Sequence, residues 1–190
     1  LSVAERANNA NLQECDGRWI VQGDPTEGAL ITAARKVGLG ADELEARFSR
    51  IGEVPFSSER KLMSTVNGRE ALELLVKGAP DELIARCSRV MAGGEIRPLS
   101  DEDRRRLLDA NEDFGRQALR VLGAAYKPLQ SVPVSSGGLE EDLIFVGLAG
   151  MMDPPRPEAA EAVALCRQAG IKPVMITGDH KVTAVAIARE

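Results

Sequence analysis

The chain has 190 residues, 44% of them hydrophobic and 28% charged, which is ordinary globular usage and enough length to bury a sizeable core. Twenty-four Lys and Arg against twenty-nine Asp and Glu give a net charge of −5, so no global basic field exists to hold phosphate backbone or anionic lipid, and nucleic acid and direct membrane contact are not expected partners. No apolar run approaches the roughly 18 residues of a bilayer span, and Leu1 to Asn11 lacks the basic-then-apolar order of a secretory signal.

Arg18 to Gln22 reads as a short strand, and Asp24 to Val37 as a helix with Leu30, Ile31, Ala34 and Val37 at helical spacing and Gly38 in the C′ place. Lys61 to Val66 and Ala71 to Val76 flank Asn67-Gly68, a hairpin signal whose turn can exceed two residues. A helix over Pro80 to Val90 follows, and Ser100 caps another through Phe114, with Asp101 to Asp103 near the positive end of its dipole. Strands over Leu119 to Tyr126 and Leu143 to Ala149 surround the loop SVPVSSGG. This order predicts an α+β domain with an antiparallel sheet flanked by helices.

Composition shifts near Met151, where the proline-marked MMDPPRPE reads as a junction between residues 1–151 and 152–190. Beyond it, Glu158 to Ala169 is helical with Gly170 as its stop. Lys172 to Ile176 is an apolar strand, and Thr177-Gly178-Asp179 turns into a last helix. A strand, a glycine turn and a helix make half of a parallel α/β unit, with the turn at the strand's carboxyl end, where such sheets bind ligands. No second strand follows, so a truncated α/β domain is expected.

Cys15, Cys87 and Cys166 form no CxxC pair and read as reduced thiols, while His180 is the single histidine, which leaves no two-His metal site. In GDPTEGAL, Asp24 as N-cap, Pro25 at N1 and Glu27 at N3 make an almost complete capping box; a second reading has Thr26 or Glu27 meet a ligand at the helix start. In VPFSSERKLMSTV, Phe56 and Met63 serve as core, or as apolar surface for a purine with Lys61 near phosphate. In LLVKGAPDE a strand delivers Lys77 and Gly78 to a Pro80-started helix, which suits an anion contact or merely a solvated lysine at a strand end. No GxxxxGKS/T loop is present. Arg120 opens an alternating strand that exposes an arginine without requiring a task. Thr177, Gly178 and Asp179 offer a hydroxyl, turn amides and a carboxylate to a phosphoryl group or a magnesium shell.

In this order, GDPTEGAL, PFSSERKLMS, KGAPD, LRVLGAA, DLIFVGLAGMMDPPR and GIKPVMITGDH resemble the cation-transporting P-type ATPases, most of all the calcium and sodium/potassium pump branch, over essentially the whole chain. The resemblance implies a nucleotide-binding domain over 1–151. A hinge at Asp153, Pro154, Pro155 and Arg156 and part of a haloacid-dehalogenase-like phosphorylation domain would then fill 152–190. Carried across by position, Phe56 would stack on adenine with Glu27 and Lys61 nearby and Met63 supporting the pocket. Lys77 and Gly78 would line its floor, Arg120 would reach the polyphosphate and Leu122 would close an apolar wall. Thr177, Gly178 and Asp179 would meet phosphate and nucleotide on domain closure. Calcium pumps often carry arginine where this chain has Ser58, so the phosphate end here has fewer charged contacts.

The implied ligands are ATP or ADP, with magnesium bound mostly by residues outside this chain. The implied partners are the remaining phosphorylation, actuator and transmembrane domains of an integral membrane protein whose cytoplasmic part this would be. No DKTGT or DxDxT nucleophile motif occurs, so the phosphorylated aspartate is expected upstream, and nucleotide binding without turnover is expected here. A soluble dehalogenase-type phosphatase and a non-catalytic interaction module are the alternatives.

Overall fold

A computed structural model describes residues 1–69, 71–117, 119–133, 137–152, 156–176, 185 and 188. In chain order its elements are α1 (Ser2–Arg6), β1 (Asn11–Cys15), β2 (Arg18–Gln22), α2 (Pro25–Lys36), α3 (Ala41–Arg47), β3 (Arg50–Ser57), β4 (Leu62–Gly68) and β5 (Leu72–Gly78). They continue with α4 (Pro80–Ala85), β6 (Cys87–Ala92), β7 (Glu95–Pro98), α5 (Asp101–Arg116), β8 (Arg120–Pro128), β9 (Leu143–Met151) and α6 (Pro157–Gln168). Seven strands form one sheet in the order β3-β4-β5-β8-β9-β6-β7, and β1 and β2 form a separate hairpin. The fold is mixed α+β, and its sheet is antiparallel except where β6 runs parallel to β9.

Local chemistry accounts for the boundaries. Asp24 caps α2 and Gly38 ends it at φ +84°, a conformation that a side chain resists. Ser100 and Asp103 close a reciprocal capping box on α5, and Arg97 holds the same Asp103 carboxylate at 2.6 and 2.8 Å. Asp16 and Gly17, at φ +51° and +73°, make the two-residue turn between β1 and β2.

Three sequence expectations need correction. Asn67-Gly68 is not the turn: Asn67 pairs with Glu73 and Gly68 with Leu72 inside the ladder. The Asn67 amide is fully buried and donates to the carbonyl and hydroxyl of Thr65 at 3.0 and 2.7 Å, so burial overrides its turn propensity. The helix expected to reach Val90 stops at Ala85. The Arg104 guanidinium on α5 donates to the carbonyls of Ile84 and Cys87, each at 2.5 Å, and Cys87 to Val90 pair with β9 instead. Lys172 to Ile176 forms no strand among the described residues; no ladder pairs with it, and Ile176 is 93% exposed.

Period-two alternation divides the sheet into two faces. Leu62 and Val66 of β4, Leu74 and Val76 of β5, Ala125 of β8 and Leu143 and Phe145 of β9 pack with Leu83 and Ile84 of α4 in the main core. Each such buried side chain contributes roughly 1.5–3 kcal/mol relative to exposure. Met63, Leu75 and Lys77 point the other way, toward the layer of α1 and α2, where Ala4, Ala7, Leu30, Ile31 and Ala34 are buried. The N-terminus of α2 is thereby laid over one end of the sheet.

Candidate functional site

Asp24 and Glu27 open α2, and their carboxylates do different work. One Asp24 oxygen accepts the amides of Thr26 at 2.8 Å and Glu27 at 3.3 Å. Slight burial opposes the charge, but those hydrogen bonds and Arg120 outweigh it and hold the Asp24 carboxyl below its usual range. Glu27 does not close the expected capping box. Its Oε1 accepts Lys77 Nζ at 2.6 Å and its Oε2 accepts the backbone N–H of Asn9 at 3.0 Å. The Lys77 and Glu27 side chains retain only 7% and 17% of their exposure. Burial pushes the Lys77 ammonium below its ordinary value, and Glu27 pulls it partway back. The ion pair bridges helix and sheet at close range. A Cβ at Gly28 would come within 2.3 Å of the Val21 side chain, so only glycine admits the packing of β2 against α2.

The registers place the remaining candidates around this pair. Met63 is opposite Lys77, Leu62 opposite Gly78, Lys77 opposite Ala124 and Gly78 opposite Gly123. Leu122 and Arg120 follow Ala124 at two-residue steps and so share its face. On β3 the register breaks between Val54 and Ser57, and Ser57 pairs with Leu62. Phe56, one residue before Ser57, therefore takes the face of Met63 and Lys77, and it is 60% exposed. Met63 is buried at 3%. Gly78 has a steric requirement: a Cβ there would lie 2.2 Å from the Lys61 carbonyl oxygen.

The structure thus brings Glu27, Met63, Lys77, Leu122 and Arg120 to one end of one sheet face, with Phe56 on the same face; Gly78, opposite Leu62 and Gly123, belongs to the main-core face at that end. Arg120 Nη1 donates to the Thr26 hydroxyl at 3.0 Å, beside the α2 cap. Lys61 is not in the strand expected to start there. It lies in a turn at φ +53°, before β4 begins, and its ammonium contacts Glu82 at 3.2 Å and Asp81 at 4.0 Å at the start of α4. Lys77 is likewise no solvated strand-end lysine. Asn9 and Glu82 are contacts that sequence reasoning passed over; no local motif marks Asn9, whose amide reaches Glu27 only through the packing of α1 and α2.

Thr177, Gly178 and Asp179 and the hinge residues Asp153, Pro154 and Pro155 lie outside the described residues. Arg156 is exposed at the N-cap of α6. Among the described residues no group of three His, Cys, Asp or Glu side chains is placed to hold a metal, and no helix is long and apolar enough to cross a membrane. A depression of about 400 Å³ lined by Arg167, Gly170, Ile171, Lys172 and Pro173 shares no residue with the face built on Lys77. Cys15, Cys87 and Cys166 are all free thiols.

An exposed aromatic on the face of a buried, charge-neutral pair, with a guanidinium at the cap, can hold a flat heteroaromatic ring at one end and an anion at the other. Comparison with known proteins supplies the family. Residues 1–158 match the family described as P-type ATPase, cytoplasmic domain N. The chain belongs to this family. It is 47% identical over 169 residues to calcium-transporting ATPase 1 of Bacillus cereus, covering 88% of this chain and 19% of that protein. It is 43% identical over 186 residues to the calcium-transporting ATPase of Bacillus subtilis, covering 96% and 21%. Against cation-transporting ATPase pma1 of Synechocystis the figures are 40% over 185 residues, 96% and 20%. The chain spans about a fifth of the length of these relatives.

Proposed function

We propose that this face binds ATP for a cation-transporting P-type ATPase. The observation that carries the reading is the exposed Phe56 ring on the sheet face that also holds the buried Glu27–Lys77 pair. Adenine stacks on Phe56, with Met63 beneath and Leu122 as an apolar wall. Glu27 and Lys77 present a neutralised floor, and Gly78 keeps the backbone low. Arg120 reaches the polyphosphate, which lies beside the start of α2. Lys61, held by Glu82 and Asp81, flanks the ring.

Residues 1–151 form the nucleotide-binding domain in this reading. Residues 152–190 supply the hinge at Asp153–Arg156 and part of a dehalogenase-like α/β domain, with Thr177, Gly178 and Asp179 facing the phosphate on closure. In the whole protein an aspartate oxygen outside this chain attacks the γ-phosphorus, the bond to the β-phosphate oxygen breaks, and ADP leaves. Hydrolysis of the acyl phosphate drives ion movement, and calcium is the first cation to test, given the names of the relatives. Such chemistry depends mostly on positioning, which is what this chain contributes. Magnesium is brought by the phosphates: the Asp24 carboxylate is engaged by helix amides and that of Glu27 by Lys77, so neither is placed to hold the ion.

Titration of the 190-residue chain with ATP, followed by NMR and calorimetry, tests the reading. Phe56→Ala weakens binding by roughly tenfold, in line with about 1–3 kcal/mol for a base stacked on an aromatic. Equal affinity and equal shifts in both proteins remove Phe56 from the site.

A further inference from the structure

Phe56 occupies a β-bulge, where ladder hydrogen bonds are interrupted and the backbone is least constrained by its neighbours. A ring that must present one orientation to a ligand needs something else to hold it. The side chain that does so is Arg60, four residues on. Its Nη2 donates to the carbonyl of Pro55, the peptide that leads directly into Phe56, and its Nη1 lies 2.6 and 2.5 Å from the two oxygens of Glu140. Glu140 is 6% exposed and also accepts the fully buried Ser64 hydroxyl at 2.9 Å. The Ser57–Lys61 turn is closed from within by the Lys61 N–H to the Ser57 carbonyl at 2.7 Å.

Glu140 is itself fixed by the segment that carries it. Leu139 is buried in the main core. Lys127 Nζ donates to the carbonyls of Leu139 and Glu141, at 3.4 and 2.8 Å. Arg86 binds the Glu141 carboxylate at 2.6 Å, and Ser88 binds that of Asp142. The connection between β8 and β9 is thus tied down on both sides of Glu140, and it reaches some 80 residues back in sequence to hold the turn after β3.

We propose that Arg60, Glu140 and Ser64 form a strap that sets the orientation of Phe56, with Arg60 and Glu140 as positioning residues for adenine. The inference rests on the ATP site above. Without the strap the bulge samples several geometries, and binding must order it first. Ordering a segment of this kind reduces affinity by about three- to tenfold for each rotamer-rich group immobilised.

The test uses the 190-residue chain with Arg60→Met, Glu140→Gln and the milder Arg60→Lys, each alone and combined with Phe56→Ala. Hydrogen exchange of the apo protein reads the strap directly. We expect exchange at residues 56–61 to rise at least tenfold in Arg60→Met while β5 and β8 keep their protection, and Arg60→Lys to restore part of it. Affinity falls three- to tenfold, by the same factor for AMP as for ATP, because the loss acts through adenine and not through phosphate charge. In the Phe56→Ala background the strap substitutions have no further effect on binding. Unchanged exchange at 56–61 in a folded Arg60→Met or Glu140→Gln protein overturns the proposal. So does a loss confined to ATP, or one that persists without the Phe56 ring. If Phe56→Ala alone leaves affinity intact, the ATP site itself fails; if Phe56→Ala weakens binding and the strap variants do not, only the strap fails.

Discussion

Replacing Lys77 by Met keeps the length and apolar stem of the side chain and removes only the ammonium. In the native fold Lys77 Nζ sits 2.6 Å from Glu27 Oε1 with both side chains largely out of water. Breaking such a pair from one side leaves an uncompensated charge, typically at a cost of about 3–5 kcal/mol. Glu27 keeps the Asn9 amide at 3.0 Å and some solvent contact, so the lower end applies, about 3 kcal/mol. With a urea slope of about 2 kcal/mol per molar, the unfolding midpoint falls by about 1.5 M. Pairing Lys77→Met with Glu27→Gln removes the stranded charge while leaving an acceptor for the Asn9 amide. The double variant recovers to within about 1 kcal/mol of wild type. If the double variant is as unstable as the sum of its parts, or if Lys77→Met alone shifts stability by under about 0.5 kcal/mol, the pair is not the buried unit described.

The same lysine predicts a pH dependence. Its folded pKa lies below its ordinary value of 10.5, so at pH between the two the unfolded chain binds more protons, and stability rises with pH through that window. Wild type therefore gains on Lys77→Met as pH increases toward 10.5 in parallel urea titrations. A difference that shrinks with rising pH contradicts the desolvation argument.

Three further outcomes follow from single contacts. Gly78→Ala forces a Cβ to within 2.2 Å of the Lys61 carbonyl, so it should destabilise by about 2–4 kcal/mol and disturb the Lys61 turn, as read by the thermal midpoint and by amide shifts at residues 57–62. Asp103 is held well below the usual carboxylate range, first by Arg97 and then by Ser100. Its stabilising contribution is present above the ordinary carboxylate pKa and is lost as pH falls toward the lowered one; acid unfolding followed by circular dichroism should be less steep in Asp103→Asn. The Cys87 thiol is buried at 2% and pushed up to about 12, so iodoacetamide on the native protein should label Cys15 and Cys166 before Cys87, as read by peptide mass spectrometry.

Local signals account for those elements whose ends are set by nearby chemistry. Asp24, Pro25 and Gly38 delimit α2, Ser100 and Asp103 start α5, and the apolar runs of β8 and β9 are readable as strands. The α+β class followed from their order. The errors arose where a distant partner decides. Arg104 ends α4 by satisfying its carbonyls, burial keeps Asn67 in a strand, and residues 172–176 form no strand where no ladder receives them. The short β7 and the parallel contact of β6 with β9 carry no local mark, because parallel pairing joins segments that are remote in sequence.

For the proposed site, Phe56, Lys77 and Arg120 could be named as candidates from their motifs, since a motif records which chemical groups are available. Their relation could not. Glu27 has the right spacing for a local capping box, and only the tertiary fold, with α1 on β5 and α2 against α1, brings its carboxylate to Lys77. Arg60 likewise looks like one charge in a polar run until the β8–β9 connection brings Glu140 against it. The amino-acid order determined the propensities, the caps and the family; tertiary structure determined which charges meet, because a buried charge takes its partner from whatever the fold brings within reach.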